Sequence, residues 1–332
     1  MTVNGKVMVT GGAGYIGSHA VLALLDAGHE VVVLDNLVTG FAWAVDPRAS
    51  LVEMAVEDPT VRHVLAEHRV AAIMHFAGSV VVPESVADPL KYYRNNTAAT
   101  RSLLESAVVA GVPHFIFSST AATYGTPDKV PVAEGDPTVP INPYGMSKLM
   151  TEAMLKDVAA AHPINYAALR YFNVAGADPQ GRSGQSTVGA THLIKIAVEA
   201  ATGRRGHVGV YGTDFPTRDG TGVRDYIHVA DLADAHVAAL NWLVANPRDN
   251  ATLNCGYGRG FSVLEVLDAV DRVTNRTIER RLEGRRAGDP AELVADNRAI
   301  LSTFDWRPAR ADLDGIVRDA VAWERRLEEM GR

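Results

Sequence analysis

Three side chains in this sequence could share one proton. Thr120 lies in "SSTAATYG" (118–125), and Tyr144 and Lys148 lie in "YGMSK" (144–148). The stretch "YGMSKLMTEAML" has a helical pattern, so a spacing of four puts the phenol and the amine on one face, about one turn apart. A free phenol titrates near ~10 and is a poor base at neutral pH. An ammonium ~4 Å away, at an effective dielectric of ~20, is worth ~4 kcal/mol, or up to ~3 pKa units. The phenolate then becomes a usable general base, and the Thr120 hydroxyl can bond the same substrate oxygen and help move its proton. A Tyr and a Lys four apart are also common on helix surfaces. The trio gains weight only from what stands before it in the chain.

What stands before it is a phosphate cradle. In "VTGGAGYIGSH" (9–19), Gly11, Gly12, Gly14 and Gly17 follow an apolar run directly and open a helical pattern. Glycines there let the backbone turn tightly and approach a pyrophosphate, whose charge is favoured at the helix N-terminus. Asp35 closes the second apolar run, 18 residues after Gly17 (35 − 17). A carboxylate at that place accepts bonds from ribose hydroxyls and repels a 2′-phosphate, and no arginine follows in "DNLVTG". The expected cofactor is NAD, and a bound nicotinamide cation would favour the phenolate further.

The elements that must hold these groups are also legible. Apolar runs at 6–10, 30–35, 70–75, 114–119 and 165–170 are each of strand length and separated by room for a helix. This rhythm predicts an α/β protein with a doubly wound parallel sheet of Rossmann type and a smaller α/β lobe for the substrate. Helices are expected over 89–110, 231–243, 262–273 and 312–328, a strand over 251–255, and a Gly/Ser/Pro-rich loop over 173–190. The expected division is a dinucleotide-binding domain at 1–172, rejoined by about 219–245, and a second domain made of 173–218 and 246–332. The cleft between them is the expected ligand site.

Composition removes several classes. A net charge of −7 argues against nucleic acid as a partner. No apolar run approaches the ~18 residues of a membrane span, so no membrane partner is expected. Cys255 is the only cysteine, and the first strand begins near Lys6, which together suggest a cytoplasmic protein. The eleven histidines show no convincing metal spacing, and His75, inside an apolar run, reads as a satisfied core residue.

Along nearly its whole length the chain resembles the extended short-chain dehydrogenase/reductase family, and within it the branch that inverts C4 of UDP-glucose and UDP-galactose. The motifs are the glycine run, "LDNL" (34–37), "HFAG" (75–78), "SSTAATYG", "YGMSK", "LRYFN" (169–173), "DGTGVRDYIHVADLADAH" (219–236) and "RRAGD" (285–289). The resemblance implies a transient 4-keto sugar, with Tyr144 as base, Thr120 where many members have serine, and Lys148 lowering the phenol pKa. It implies a tightly bound NAD touched by Gly11, Gly14, Tyr15, Ile16 and Gly17, by Asp35 and Asn36, by Phe76 and Ala77, and by Asn95, Ser118, Tyr144, Lys148 and Tyr171. For a UDP-sugar it implies contacts from Thr120, Tyr144, Asn173, Thr191, His192 and Leu193, with Arg224 and Arg286 on the diphosphate and Asp289 near the ribose. A homodimer through the helices carrying Asn95 and Tyr144 is implied as well.

Some positions depart from that pattern. Ala55 stands where many members carry an aspartate that reads adenine, and Val80 where some carry a cofactor-facing lysine. Leu293 aligns with the residue that gates the sugar pocket, and its intermediate size leaves N-acetylhexosamine and pentose substrates open. Ala121 and Ala122 follow Thr120 where a dehydratase relative would carry an acidic pair, which argues against elimination chemistry.

Overall fold

The computed structural model describes residues 3–286 and 289–332. Its strands are β1 (Lys6–Thr10), β2 (Val31–Asp35), β3 (Ser50–Glu53), β4 (Val70–His75), β5 (His114–Thr120), β6 (Asn165–Tyr171), β7 (Asn173–Ala175), β8 (Val208–Tyr211), β9 (Val223–His228), β10 (Ala251–Cys255), β11 (Gly260–Ser262), β12 (Arg280–Glu283) and β13 (Glu292–Leu293). The helices are α1 (Tyr15–Asp26), α2 (Val61–Glu67), α3 (Val82–Ala87), α4 (Pro89–Tyr92), α5 (Ala99–Ala110), α6 (Pro143–Ala161), α7 (Leu193–Thr202), α8 (Val229–Ala245), α9 (Val263–Thr274), α10 (Arg298–Thr303) and α11 (Leu313–Glu329).

Seven strands form one parallel sheet in the order β10-β6-β5-β4-β1-β2-β3. Its central strands are buried on both faces, which is why they read as continuous apolar runs rather than alternating ones. Successive residues of β1 serve opposite sides. Val7 and Val9 pack with α1 (Ala20, Val21, Leu24) and α8 (Leu232, Leu240, Leu243). Met8 packs with Leu65 of α2, Leu103 of α5 and Leu155 of α6. The layers are thus helix, sheet, helix, and the C-terminal ends of β1, β2, β4, β5 and β6 all open on one edge.

The second lobe is built on β11-β9-β13, with β7 also pairing β9, and on the parallel pair β8–β12. Its core joins α7, α9 and α11 through Val198, Val266, Val270, Ile316 and Val317. Ser262 caps α9 through a reciprocal bond with Glu265, which fixes where that helix starts.

Three expectations change. The 173–190 stretch is not all loop, because Asn173–Ala175 forms β7 by pairing with a strand 50 residues further on (223 − 173). The helix expected over 89–110 is interrupted by a π-helical turn at Tyr93–Ala98, which contains Asn95 and Asn96. The returning segment also shifts: β9 lies at the centre of the second sheet, while α8 packs on α1 and β10 extends the large sheet beyond β6. Residues 251–255 therefore sit with the first lobe, since their parallel register with β6 buries Leu253 and Cys255 there.

Candidate active site

The glycine cradle is fitted to its neighbours atom by atom. Gly11 has φ 70°, and a Cβ on it would fall 2.6 Å from the Ala77 nitrogen. A Cβ on Gly17 would fall 2.1 Å from the Gly11 carbonyl oxygen, so only glycine lets α1 approach the turn this closely. Asp35, at the end of β2, accepts from the Ala13 amide at 3.0 Å and from the Leu37 amide at 2.8 Å. That carboxylate ties the cradle to β2 and keeps lone pairs for hydroxyl donors. Gly14 is the N-cap of α1, and the amides of Tyr15, Ile16 and Gly17 in the first turn have no intrahelical acceptor. These features fit the pyrophosphate and ribose of a dinucleotide.

Tyr15 also reaches across the molecule. Its hydroxyl donates to the Gly176 carbonyl at 2.7 Å, just past β7. The Asn36 side chain is exposed and accepts from the Val38 amide. Phe76 stacks obliquely on His236 at 4.7 Å, and Ala77 closes on Gly11. On the outside of the site, the Phe41 amide donates to the Ala13 carbonyl, so the 36–41 loop folds back over the cradle.

Thr120 ends β5, while Tyr144 and Lys148 lie on α6, which Asn142 caps by accepting from the Gly145 amide. Gly145 is also obligatory, since a Cβ there would meet the Ala122 carbonyl at 2.5 Å. This close approach brings α6 against the turn that follows Thr120. Burial pushes the Tyr144 phenol up, and the Thr120 hydroxyl beside it opposes that shift. Lys148 is also buried, and burial lowers its ammonium to about 8. Its Nζ donates to the Ser118 carbonyl at 2.9 Å.

Tyr144 and Lys148 share a helix face, and the long lysine side chain reaches to β5. Tyr171 pairs through its hydroxyl with Ser118 and stands close to Tyr144. A Cβ on Gly78 would come 4.0 Å from the Lys148 Nζ. The path from cradle to trio therefore runs Gly11, Ala77, Gly78, Lys148.

Of the two asparagines in the π-turn, Asn96 is the buried one. It accepts from the Ser79 amide and donates to the Ser79 carbonyl and the Ser147 hydroxyl, joining the loop after β4 to α6. Asn95 donates to the Ser79 hydroxyl at 3.1 Å and is half-buried. The sequence signal for both is the same, a polar amide inside a helical pattern, and it could not rank them.

The sugar-nucleotide end is looser. Asn173, His192 and Leu193 line one cleft together with Gln185 and Tyr226. His192 is the N-cap residue of α7 and takes a 2.6 Å bond with Gln185, while Thr191 is exposed. Arg224 in β9 pairs in register with Leu293 of β13. Burial disfavours its charge, Asp289 nearby supports it, and among the described residues it forms no salt bridge. A half-buried guanidinium without a carboxylate on it suits an anionic ligand. Arg286 is exposed and lies over the ring of Tyr211 at 3.6 Å, a contact between distant segments that no local pattern marks. Ala287 and Gly288, the centre of "RRAGD", lie outside the described residues. Leu293 is buried with Ala121, Tyr124 and Val132, beside the turn after Thr120.

Besides Arg224, the long motif at 219–236 carries polar side chains that tie segments together. Asp225 accepts the amides of Tyr257 and Gly258, Asp231 accepts from Tyr257 and Arg310, and His228 bonds Asp319. His75 bonds Thr10 and Thr100, as a core histidine should. Among the described residues no group of three or more His, Cys, Asp or Glu is arranged to hold a metal. No described helix is long and apolar enough to cross a membrane.

Known proteins share this fold. The chain is 53% identical to a UDP-glucose 4-epimerase of Azospirillum brasilense over 98% of its own length and 93% of that protein. A UDP-glucose 4-epimerase from Brucella ovis, solved in complex with NAD, superposes with a TM-score of 0.92 at 44% identity, covering 96% of this chain and 98% of that one. Another, from Stenotrophomonas maltophila with bound NAD and formylated UDP-arabinopyranose, reaches a TM-score of 0.95 at 39% identity over 98% and 100%. The sequence profile of the NAD dependent epimerase/dehydratase family matches residues 7–256, from β1 to just past β10. Matched by this profile over residues 7–256 and by a relative 53% identical over 98% of its length, the chain belongs to the NAD dependent epimerase/dehydratase family.

Proposed function

We propose that this protein is an isomerase that inverts C4 of UDP-glucose and UDP-galactose while retaining its NAD. The observation that carries the reading is the meeting of the buried Thr120 with Tyr144, joined through Lys148 and Gly78 to a glycine cradle. When bound, NAD takes a hydride from the sugar and gives it back to the opposite face. Tyr144 removes the proton of the 4-hydroxyl and returns it once the 4-keto sugar has turned over, while Thr120 bonds the same oxygen and steadies it through both transfers. Lys148 holds the cofactor ribose and supports the phenolate while it remains charged. Arg224 and Arg286 grip the diphosphate, Asp289 the uridine side, and Asn173, His192 and Leu193 border the hexose. The apolar surface of Tyr93, Met150 and Met154, near the exposed Leu90, supports a homodimer. The single cysteine, Cys255, is buried, and this supports a cytoplasmic setting.

The test uses UDP-glucose carrying deuterium at C4. The expected result is UDP-galactose that keeps its label and no accumulation of reduced cofactor. Loss of label to water, or stoichiometric NADH, would overturn the reading. Tyr144→Phe should keep its NAD and lose ~10³-fold or more in turnover.

A further inference from the structure

One buried ion pair has no part in the chemistry described so far. Tyr144, Lys148 and Glu152 follow one another at four-residue intervals along α6 and so share a face. Glu152 Oε1 accepts from the Ser119 hydroxyl and from Arg170 Nε at 2.9 Å, and Oε2 accepts from Arg170 Nη2 at 2.6 Å. Arg170 Nη1 donates to the Tyr124 hydroxyl at 2.9 Å, which donates onward to Asn254 Oδ1 at 2.7 Å. Both charged side chains are less than a tenth exposed.

The addresses of these residues matter more than their number. Ser119 precedes Thr120, Tyr124 closes the 3-10 turn after Thr120, and Arg170 precedes Tyr171. One carboxylate on the helix of Tyr144 is therefore bonded to the strands that carry the other members of the site. A buried ion pair is seldom more stabilising than apolar side chains of the same volume, so its bidentate geometry is better understood as fixing register.

Resting on the function proposed above, we propose that Glu152 is a positioning residue: with Arg170 and Ser119 it sets the separation of Thr120 from Tyr144, and its charge cancels that of Arg170, about two helical turns (~12 Å) along α6 from Tyr144. Around Tyr144 stand Tyr92, edge-on at 6.4 Å, Tyr171 and Lys148, and around Glu152 stand Arg170 and Tyr166. None of these except Arg170 is altered below.

Three variants test it, each read by NAD content, kcat, KM and the pH of the acid limb of kcat. Ser119→Ala removes one bond and leaves the ion pair, so it should cut kcat ~10-fold with KM and NAD content unchanged. Glu152→Gln should cut kcat ~100-fold and move the acid limb to lower pH, because an unbalanced Arg170 favours the phenolate. Glu152→Leu combined with Arg170→Met should return the limb to its original pH while kcat stays low. The proposal falls if Ser119→Ala and Glu152→Gln both turn over within twofold of the parent, if the limb does not move, or if the variants lose NAD instead of rate. The parent reading fails separately, through an active Tyr144→Phe.

Discussion

The two ends of the site are made differently. At the dinucleotide end, a Cβ on Gly11 or Gly17 would fall within 3 Å of neighbouring backbone, and Asp35 is held by two amides. At the sugar-nucleotide end, Thr191 and Arg286 are exposed and Arg224 has no carboxylate on it among the described residues. A cradle already fitted before its ligand arrives loses little freedom on binding, whereas long side chains that must be ordered by the ligand bind at a cost. The first end is built to keep its occupant and the second to exchange it. An enzyme that oxidises and re-reduces one molecule needs that asymmetry, because release of the cofactor between the two half-reactions would strand the intermediate.

Filling the cradle should break the contrast most sharply. Gly17→Ala puts a methyl against the Gly11 carbonyl, and overpacking of ~1–3 kcal/mol should weaken NAD binding ~10- to 100-fold. The NAD content of the purified protein, by absorbance and enzymatic assay, checks this, and a full complement would show that the cradle is more yielding than its packing implies. At the other end, Arg224→Met should raise KM for UDP-glucose ~10- to 100-fold, the worth of a charge-assisted contact, without changing NAD content. A variant that lost cofactor rather than substrate affinity would erase the distinction between the two ends.

A smaller effect comes from acid. His19, His75 and His236 are buried on the dinucleotide side, and burial lowers them to about 4, about 3 and about 4 from an ordinary 6.5. Below pH 6.5 the unfolded chain binds protons that the folded chain refuses, so stability falls as pH falls, by up to ~1.4 kcal/mol per pH unit for each histidine. His75→Gln should flatten that slope by up to one such increment, measured by denaturant unfolding across this range. An unchanged slope would place the acid sensitivity elsewhere.

How much of this could be read beforehand follows the range of the contacts involved. The central strands of the large sheet were legible because apolar runs form their middles, whereas β3, four residues long and mostly exposed, carried no such run; the cradle was legible because its glycines, Asp35 and the intervening helix lie within 25 residues (35 − 11 + 1). Thr120, Tyr144 and Lys148 could be named from local spacing, but the direction in which Lys148 points could not, because it depends on the Ser118 carbonyl, 30 residues away. The three residues of β7 carry no pattern of their own and become a strand only against β9. The Glu152–Arg170 pair and the Arg286–Tyr211 stack were hidden for the same reason, since each joins residues on different elements. The π-turn left a trace, two asparagines in a helix, that marked the place without revealing which one is buried.

The bond from Tyr15 to the Gly176 carbonyl gives the cleft a fixed gauge. Its phenol springs from the very turn that faces the pyrophosphate, so widening the gap on the far side would pull on the cofactor's own seat. On the proposed function, a hexose would present its second face by swivelling on its tether, since opening the cleft at Gly176 would first have to break this bond.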